Sequence, residues 1–164
     1  MAKNKEEKTN VMRVLEQKKI AYTAHTYPHE EGMAVDGVTV AKSMGFDPAI
    51  VFKTLVARGA SKQYYVFDVP VAENLDLKKA AKAVGEKSIE MIHQKELLPL
   101  TGYVHGGCSP VGMKKLFPTV FHETAENLET MIVSAGKIGY QVEVAPQALI
   151  ALVRAATAEL TIEF

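Results

Sequence analysis

The chain has 164 residues, 48% hydrophobic and 23% charged, so a single domain over 1–164 with a core that needs no metal or staple is expected. Nineteen basic and nineteen acidic residues cancel to a formal net charge of zero, which provides no global field for strong, unaided nucleic-acid binding. A single cysteine excludes an intrachain disulfide, the charged start lacks a signal peptide's apolar segment, and no apolar run reaches the length of a membrane span, so a cytoplasmic protein away from membranes is expected.

Thr9 or Asn10 is placed to cap a first helix with Val11, Met12 and Leu15 on its buried face. Residues 21–27 read as a strand stopped by Pro28, and the polar, glycine-containing stretch 28–33 reads as a mobile loop. Asp36 opens a short helix with Val40, Ala41 and Met44 inward and Gly45 at its end. Residues 50–58 and 63–69 form the two strands of a hairpin joined through Gly59-Ala60-Ser61-Lys62. Asp76 caps the clearest helix, in which Leu77, Ala80, Ala81 and Val84 follow helical spacing up to Gly85.

A short strand at 88–91 and a helical turn at 94–98 follow, and further strands are expected at 119–122, 131–134 and 141–144. Pro146 fits the first turn of a closing helix carrying Leu149, Val153, Ala156 and Leu160 on one face. The pattern predicts an α+β fold with a mixed, largely antiparallel sheet flanked by helices. Periodicity leaves open whether the sheet edges close into a barrel.

Thr101-Gly102-Tyr103-Val104-His105-Gly106-Gly107-Cys108-Ser109-Pro110-Val111-Gly112 concentrates four of the chain's eleven glycines. Backbone without Cβ atoms can approach a ligand and turn N–H groups toward a carbonyl, an oxyanion or a phosphate. A tight turn between strands would have the same composition. Lys53 is the second unusual feature, because strand alternation puts it on one face with Val51 and Leu55. It is either a snorkelling lysine or a cation at a pocket mouth.

Familiar catalytic motifs fail on inspection. Gly107 to Gly112 has a P-loop gap, but Met113 stands where lysine is required. Gly107-Cys108-Ser109-Pro110-Val111 lacks the closing glycine of a nucleophile elbow. His25 and His29 have ligand spacing but no obvious third ligand, and Cys108 has no identifiable base. Lys78, Lys79 and Lys82 read as the solvated face of their helix.

Val51-Phe52-Lys53-Thr54-Leu55-Val56, Leu75-Asp76-Leu77-Lys78-Lys79, Thr101-Gly102-Tyr103 with Gly106-Gly107 and Ser109-Pro110-Val111-Gly112, and Ser134-Ala135-Gly136-Lys137 occur in that order. Together they resemble the YbaK family of stand-alone aminoacyl-tRNA editing proteins, related to the insertion domain of bacterial prolyl-tRNA synthetases. The resemblance runs from about Thr9 to the closing helix and implies a barrel-like mixed sheet flanked by helices. It further implies an aminoacyl-tRNA deacylase without a cofactor. Lys53-Thr54-Leu55 looks like the branch that clears cysteine from tRNA(Pro), whereas the alanine-clearing branch has asparagine after the lysine. Cysteine and proline are near-isosteres, which a single binding pocket separates by only a few kcal/mol.

The mechanism implied by the resemblance needs no protein nucleophile. The substrate thiol attacks its own ester carbonyl, expels the ribose hydroxyl and leaves a thiolactone, while the protein holds the reactive conformer and stabilises the oxyanion. By family correspondence the catalytic positions are Lys53, Gly106 and Gly107, and the substrate-binding positions are Tyr27, Thr54, Ser134 and Gln141. The N–H groups of Gly106 and Gly107 are expected to meet the carbonyl oxygen, Lys53 the terminal adenosine phosphate or ribose, Tyr27 the sugar or base, and Ser134 the α-amino group or ribose. The family often has aspartate where Gln141 stands, which puts recognition of the α-ammonium in question.

The partners implied are the aminoacyl end of tRNA(Pro) and prolyl-tRNA synthetase, which could present the tRNA to a protein of zero net charge. Two alternatives remain: a hydrolase using water on another aminoacyl-tRNA or small ester, and a non-catalytic amino-acid or nucleotide-binding module. Cleavage of substrates lacking a thiol would mark the first, and binding without ester loss the second.

Overall fold

The computed structural model describes residues 8–30 and 32–162; the charged N-terminal stretch and Glu31 of the expected loop lie outside the described residues. Helix α1 (Asn10–Gln17) starts where Thr9 accepts a hydrogen bond from the Met12 N–H, and it buries Val11, Met12 and Leu15 as its spacing requires. Strand β1 (Tyr22–Thr26) precedes α2 (Gly37–Ser43), which Asp36 caps through the Thr39 N–H. The hairpin is β2 (Phe52–Gly59) against β3 (Tyr64–Pro70), followed by α3 (Leu77–Val84), capped by Asp76 and ended by Gly85 in the left-handed region. Then come β4 (Ile89–Met91), α4 (Gln94–Thr101), β5 (Thr119–His122), β6 (Met131–Ser134), β7 (Tyr140–Val144), α5 (Pro146–Val153) and β8 (Ala156–Ala158).

The strands make two sheets. One has three antiparallel strands in the order β1-β7-β6; the other is mixed, in the order β4-β2-β3-β5-β8, with β5 parallel to both of its neighbours. They meet at a parallel bridge between Val51 and Ile132. Among the described residues that bridge does not close the strands into a continuous barrel, so the barrel-like expectation reduces to two sheets meeting at one corner.

The main core fills the space between the sheets. Phe52, Val56 and Val66 from the hairpin meet Met131, Val133, Val142 and Val144 from the smaller sheet, with α1, α5 and Tyr103 of the glycine loop joining them. On the opposite face of the larger sheet, Ala57, Phe67, Val69 and Val120 pack on Ala80 and Ala81 of α3. A third cluster ties α2 to the corner bridge through Ala41, Val51, Val71 and Ile132.

Several expectations are corrected. Leu77, placed on the buried face of α3 by spacing, is exposed, and the helix packs on the sheet through Ala80 and Ala81, with Val84 partly buried against them. The turn at 94–98 runs on to Thr101, whose hydroxyl donates to Leu97 O before Gly102 turns left-handed. The closing helix stops at Val153: Arg154 adopts φ +56° and the Ala155 N–H bonds back to Ile150 O, so Ala156 enters β8 and Leu160 belongs to the α3 cluster.

Candidate active site

Strand β2 is paired with β3 along its length, but β4 covers only Ala57, Arg58 and Gly59 on its other side. The edge from Phe52 to Leu55 therefore has no strand beside it within its sheet among the described residues. A cavity of about 320 Å³ opens there, closed by α2, the glycine loop and the ends of β6 and β7. This is why consecutive residues from Val51 to Leu55 line it, although alternation assigns them to two faces. Of the residues expected at the site, Tyr27, Lys53, Thr54, Gly106, Ser134 and Gln141 all line this cavity, and Gly107 does not.

Lys53 is half-buried, and burial lowers its pKa while the charge of Glu73 raises it. No ion pair among the described residues involves Lys53. Thr54 stands opposite Asp68 in the hairpin, and its Oγ1 donates to Asp68 Oδ1 at 2.6 Å.

The glycine loop is anchored from within. Tyr103 Oη donates to Val111 O at 2.5 Å, Thr101 Oγ1 accepts from the Tyr103 N–H at 3.0 Å, and Ser109 Oγ accepts from the Val111 N–H at 3.2 Å. Gly106 has φ +90°, and a Cβ there would lie 2.8 Å from the Ala34 Cβ. A Cβ on Gly107 would lie 3.1 Å from the backbone nitrogen of Ile138, so the loop presses directly on the turn after β6. The Gly107 N–H donates to Val104 O at 2.9 Å, so it serves the turn rather than the cavity. Cys108 is buried on the cavity wall. Burial first, then the Asp68 charge, push its thiol up to about 12, which keeps it protonated and poorly nucleophilic.

Ser134 and Gln141 face each other across β6 and β7, and both are buried. Ser134 Oγ accepts from the Gly136 N–H at 3.1 Å, which shapes the turn against the glycine loop. Gln141 Oε1 is buried without a hydrogen-bond partner among the described residues. Tyr27 is held by its N–H on Gly139 O at 3.0 Å. His25 lies away from any ligand set: its Nε2 is 2.8 Å from Glu143 Oε1 and its ring meets Phe46 edge-on.

The site thus combines a half-buried cation, a glycine backbone wall and an unpartnered amide oxygen. Sequence reasoning missed Asp68, Asp36 as a wall residue, and His105 at the mouth. Asp68 carried a usable signal, an acidic residue inside the apolar run of β3.

Over residues 29–152 the sequence matches the aminoacyl-tRNA editing domain, and the chain belongs to that family, which acts on aminoacyl-tRNA. It is 46% identical over 162 residues to EbsC of Enterococcus faecalis (strain ATCC 700802 / V583), a candidate Cys-tRNA(Pro)/Cys-tRNA(Cys) deacylase, with 98% of each chain covered. Among solved structures it is similar to a candidate trans-editing enzyme for prolyl tRNA synthetase, at 25% identity and TM-score 0.78, covering 93% and 95% of the two chains. The fold is also that of the hypothetical protein APE2540, at 18% identity and TM-score 0.82, over 93% and 99%.

Proposed function

We propose that this chain removes cysteine from Cys-tRNA(Pro) as a free-standing deacylase, with the substrate's own thiol attacking its ester carbonyl. The observation that carries the reading is a cavity with a half-buried cation and an unpartnered amide oxygen, whose one wall thiol, Cys108, is kept protonated by burial. The 46% identity to EbsC, a candidate Cys-tRNA(Pro)/Cys-tRNA(Cys) deacylase, supports cysteine as the amino acid. A wall whose one thiol stays protonated suits a substrate that brings its own.

The residues take these parts. Lys53 holds the phosphate or ribose of the terminal adenosine, and Tyr27 packs on its sugar or base. Gly106 presents its backbone to the carbonyl oxygen from the cavity wall, and its φ of +90°, with Ala34 packed where its own Cβ would lie, keeps that position a glycine. Gly107 shapes that wall instead of donating to the oxygen, because its N–H is engaged with Val104. Gln141 Oε1, buried and unpartnered, accepts from the α-ammonium, a neutral acceptor where the family often has a carboxylate. Ser134 supplies a hydroxyl beside it. Zero net charge implies weak intrinsic hold on tRNA, so prolyl-tRNA synthetase is the partner that presents it.

The test is single-turnover release of labelled cysteine from Cys-tRNA(Pro) by wild type and Lys53→Ala. Loss of an electrostatic contact to the reacting end lowers the rate on the order of a hundredfold. No release by the wild type, or an unchanged rate in the variant, contradicts the assignment.

A further inference from the structure

Asp68 and Thr54 form a pair that the mechanism above leaves unused. They are directly opposite in the β2–β3 register, so both side chains leave the hairpin on one face. That face also carries Phe52, Val56 and Val66, turned into the interior between the sheets. Thr54 reaches the cavity, whereas Asp68 behind it is completely buried. Thr54 Oγ1 donates to Asp68 Oδ1 at 2.6 Å, and Asp68 Oδ2 has no hydrogen-bond partner among the described residues. A buried carboxyl with an orphaned oxygen costs stability that an apolar residue of similar size would not. What a carboxylate adds is the capacity to take up a proton.

We propose that Asp68 receives the proton of the substrate thiol through Thr54, which makes it the proton acceptor for thiol attack. This rests on the deacylase reading above. A threonine hydroxyl that donates to a carboxylate still has lone pairs to accept with. As the S–H proton moves to Thr54 Oγ1, the hydroxyl proton of Thr54 moves to Asp68 Oδ1. The freed sulfur forms the C–S bond to the ester carbonyl, whose oxygen becomes the oxyanion. Collapse of that intermediate breaks the bond to the ribose oxygen, which takes the proton back along the same path. The products are the cysteine thiolactone and tRNA with its terminal hydroxyl restored, and Asp68 ends ionised, as it began.

The local electrostatics suit the step. Burial pushes the Asp68 carboxyl up to about 7, against a smaller opposing effect of the Thr54 hydroxyl. Its value comes within about two units of an ordinary thiol's, close enough for efficient transfer. Thr54 faces it from β2 and Cys108 from the glycine loop; Cys108 stays a neutral thiol, so Asp68 is the member of this group that titrates near neutrality. Asp68 acts through Thr54 and is a positioning residue, not one that touches substrate.

The experiment is the pH profile of single-turnover cysteine release from Cys-tRNA(Pro), from about pH 5.5 to 8.5, for wild type, Asp68→Asn, Thr54→Val and Thr54→Ser. Wild-type kcat/KM is expected to rise through pH about 7 to a plateau. Asp68→Asn and Thr54→Val lose that limb and about a hundredfold in plateau rate at little changed KM, and Thr54→Ser keeps the limb. A limb that persists unchanged in Asp68→Asn, or in Thr54→Val where the first variant does not fold, belongs to the substrate's amino group and overturns the proposal. So does a loss of rate with the limb in place, which marks a merely structural role. A wild type that releases no cysteine at any pH instead refutes the deacylase reading itself.

Discussion

Replacing Asp68 by asparagine changes how stability depends on pH, and the size of the change follows from the burial of this one carboxyl. Its pKa rises from 3.8 to about 7 on folding, because burial penalises the charge more than the Thr54 hydroxyl relieves it. Between those values the native state holds a proton that the unfolded chain has released, so stability falls as pH rises. The cost is absent below the lower value, grows through the window and is complete above the upper one. At about 1.4 kcal/mol per pH unit, the full penalty is about 4 kcal/mol, of which about 2 kcal/mol develops between about pH 5.5 and 8.5.

Buried His122 acts in the opposite sense. Its pKa is lowered mainly by burial, and its Nδ1 accepts from the Leu160 N–H, so stability rises as the unfolded histidine loses its proton. That effect is common to wild type and variant and cancels between them. Urea unfolding followed by far-UV circular dichroism at the two pH values provides the difference. The wild type should lose about 2 kcal/mol more than Asp68→Asn on going to the higher pH. Parallel pH dependence in the two proteins would refute the argument that Asp68 is buried as an acid.

Three further outcomes are expected. Gly106→Ala forces a Cβ to 2.8 Å from Ala34 at φ +90°; a melting temperature lowered by several degrees, from about 1–2 kcal/mol of backbone strain, with deacylation falling further, is the check. Cys108→Ala should keep cysteine release within about threefold of wild type, and native Cys108 should resist iodoacetamide until denaturant is added, since a buried protonated thiol reacts slowly. Gln141→Leu removes the unpartnered acceptor, so KM for Cys-tRNA(Pro) should rise about tenfold or more while thermal stability holds, measured by steady-state kinetics and calorimetry.

Local signals carried the elements well where a side chain or a glycine sets the boundary: Thr9, Asp36 and Asp76 cap the helices they were expected to cap, and Gly85 ends one. They failed at Arg154, where an ordinary residue adopts the left-handed turn that composition assigns to glycine. The pairing of strands depends on contacts distant in sequence, so nothing local showed that the sheets would stay separate and meet at Val51 and Ile132. The candidate site was more legible than the topology, because motif resemblance named Tyr27, Lys53, Thr54, Gly106, Ser134 and Gln141, and one cavity gathers them. Gly107 escaped that logic because the engagement of an N–H is a property of the folded turn. Asp68 escaped it because the resemblance names no such position, although an acidic residue within the apolar run of β3 was a signal that local reading passed over.

The most direct test of substrate-assisted editing compares Cys-, Ser- and Ala-tRNA(Pro) in parallel single-turnover deacylation. Cysteine and serine differ by one atom, sulfur for oxygen, and alanine lacks both, so a cavity that merely binds the amino acid and admits water should treat them similarly. Thiol attack predicts release of cysteine faster than serine or alanine by about a hundredfold or more, since an unactivated hydroxyl is a far weaker nucleophile. Comparable rates for all three would contradict the account.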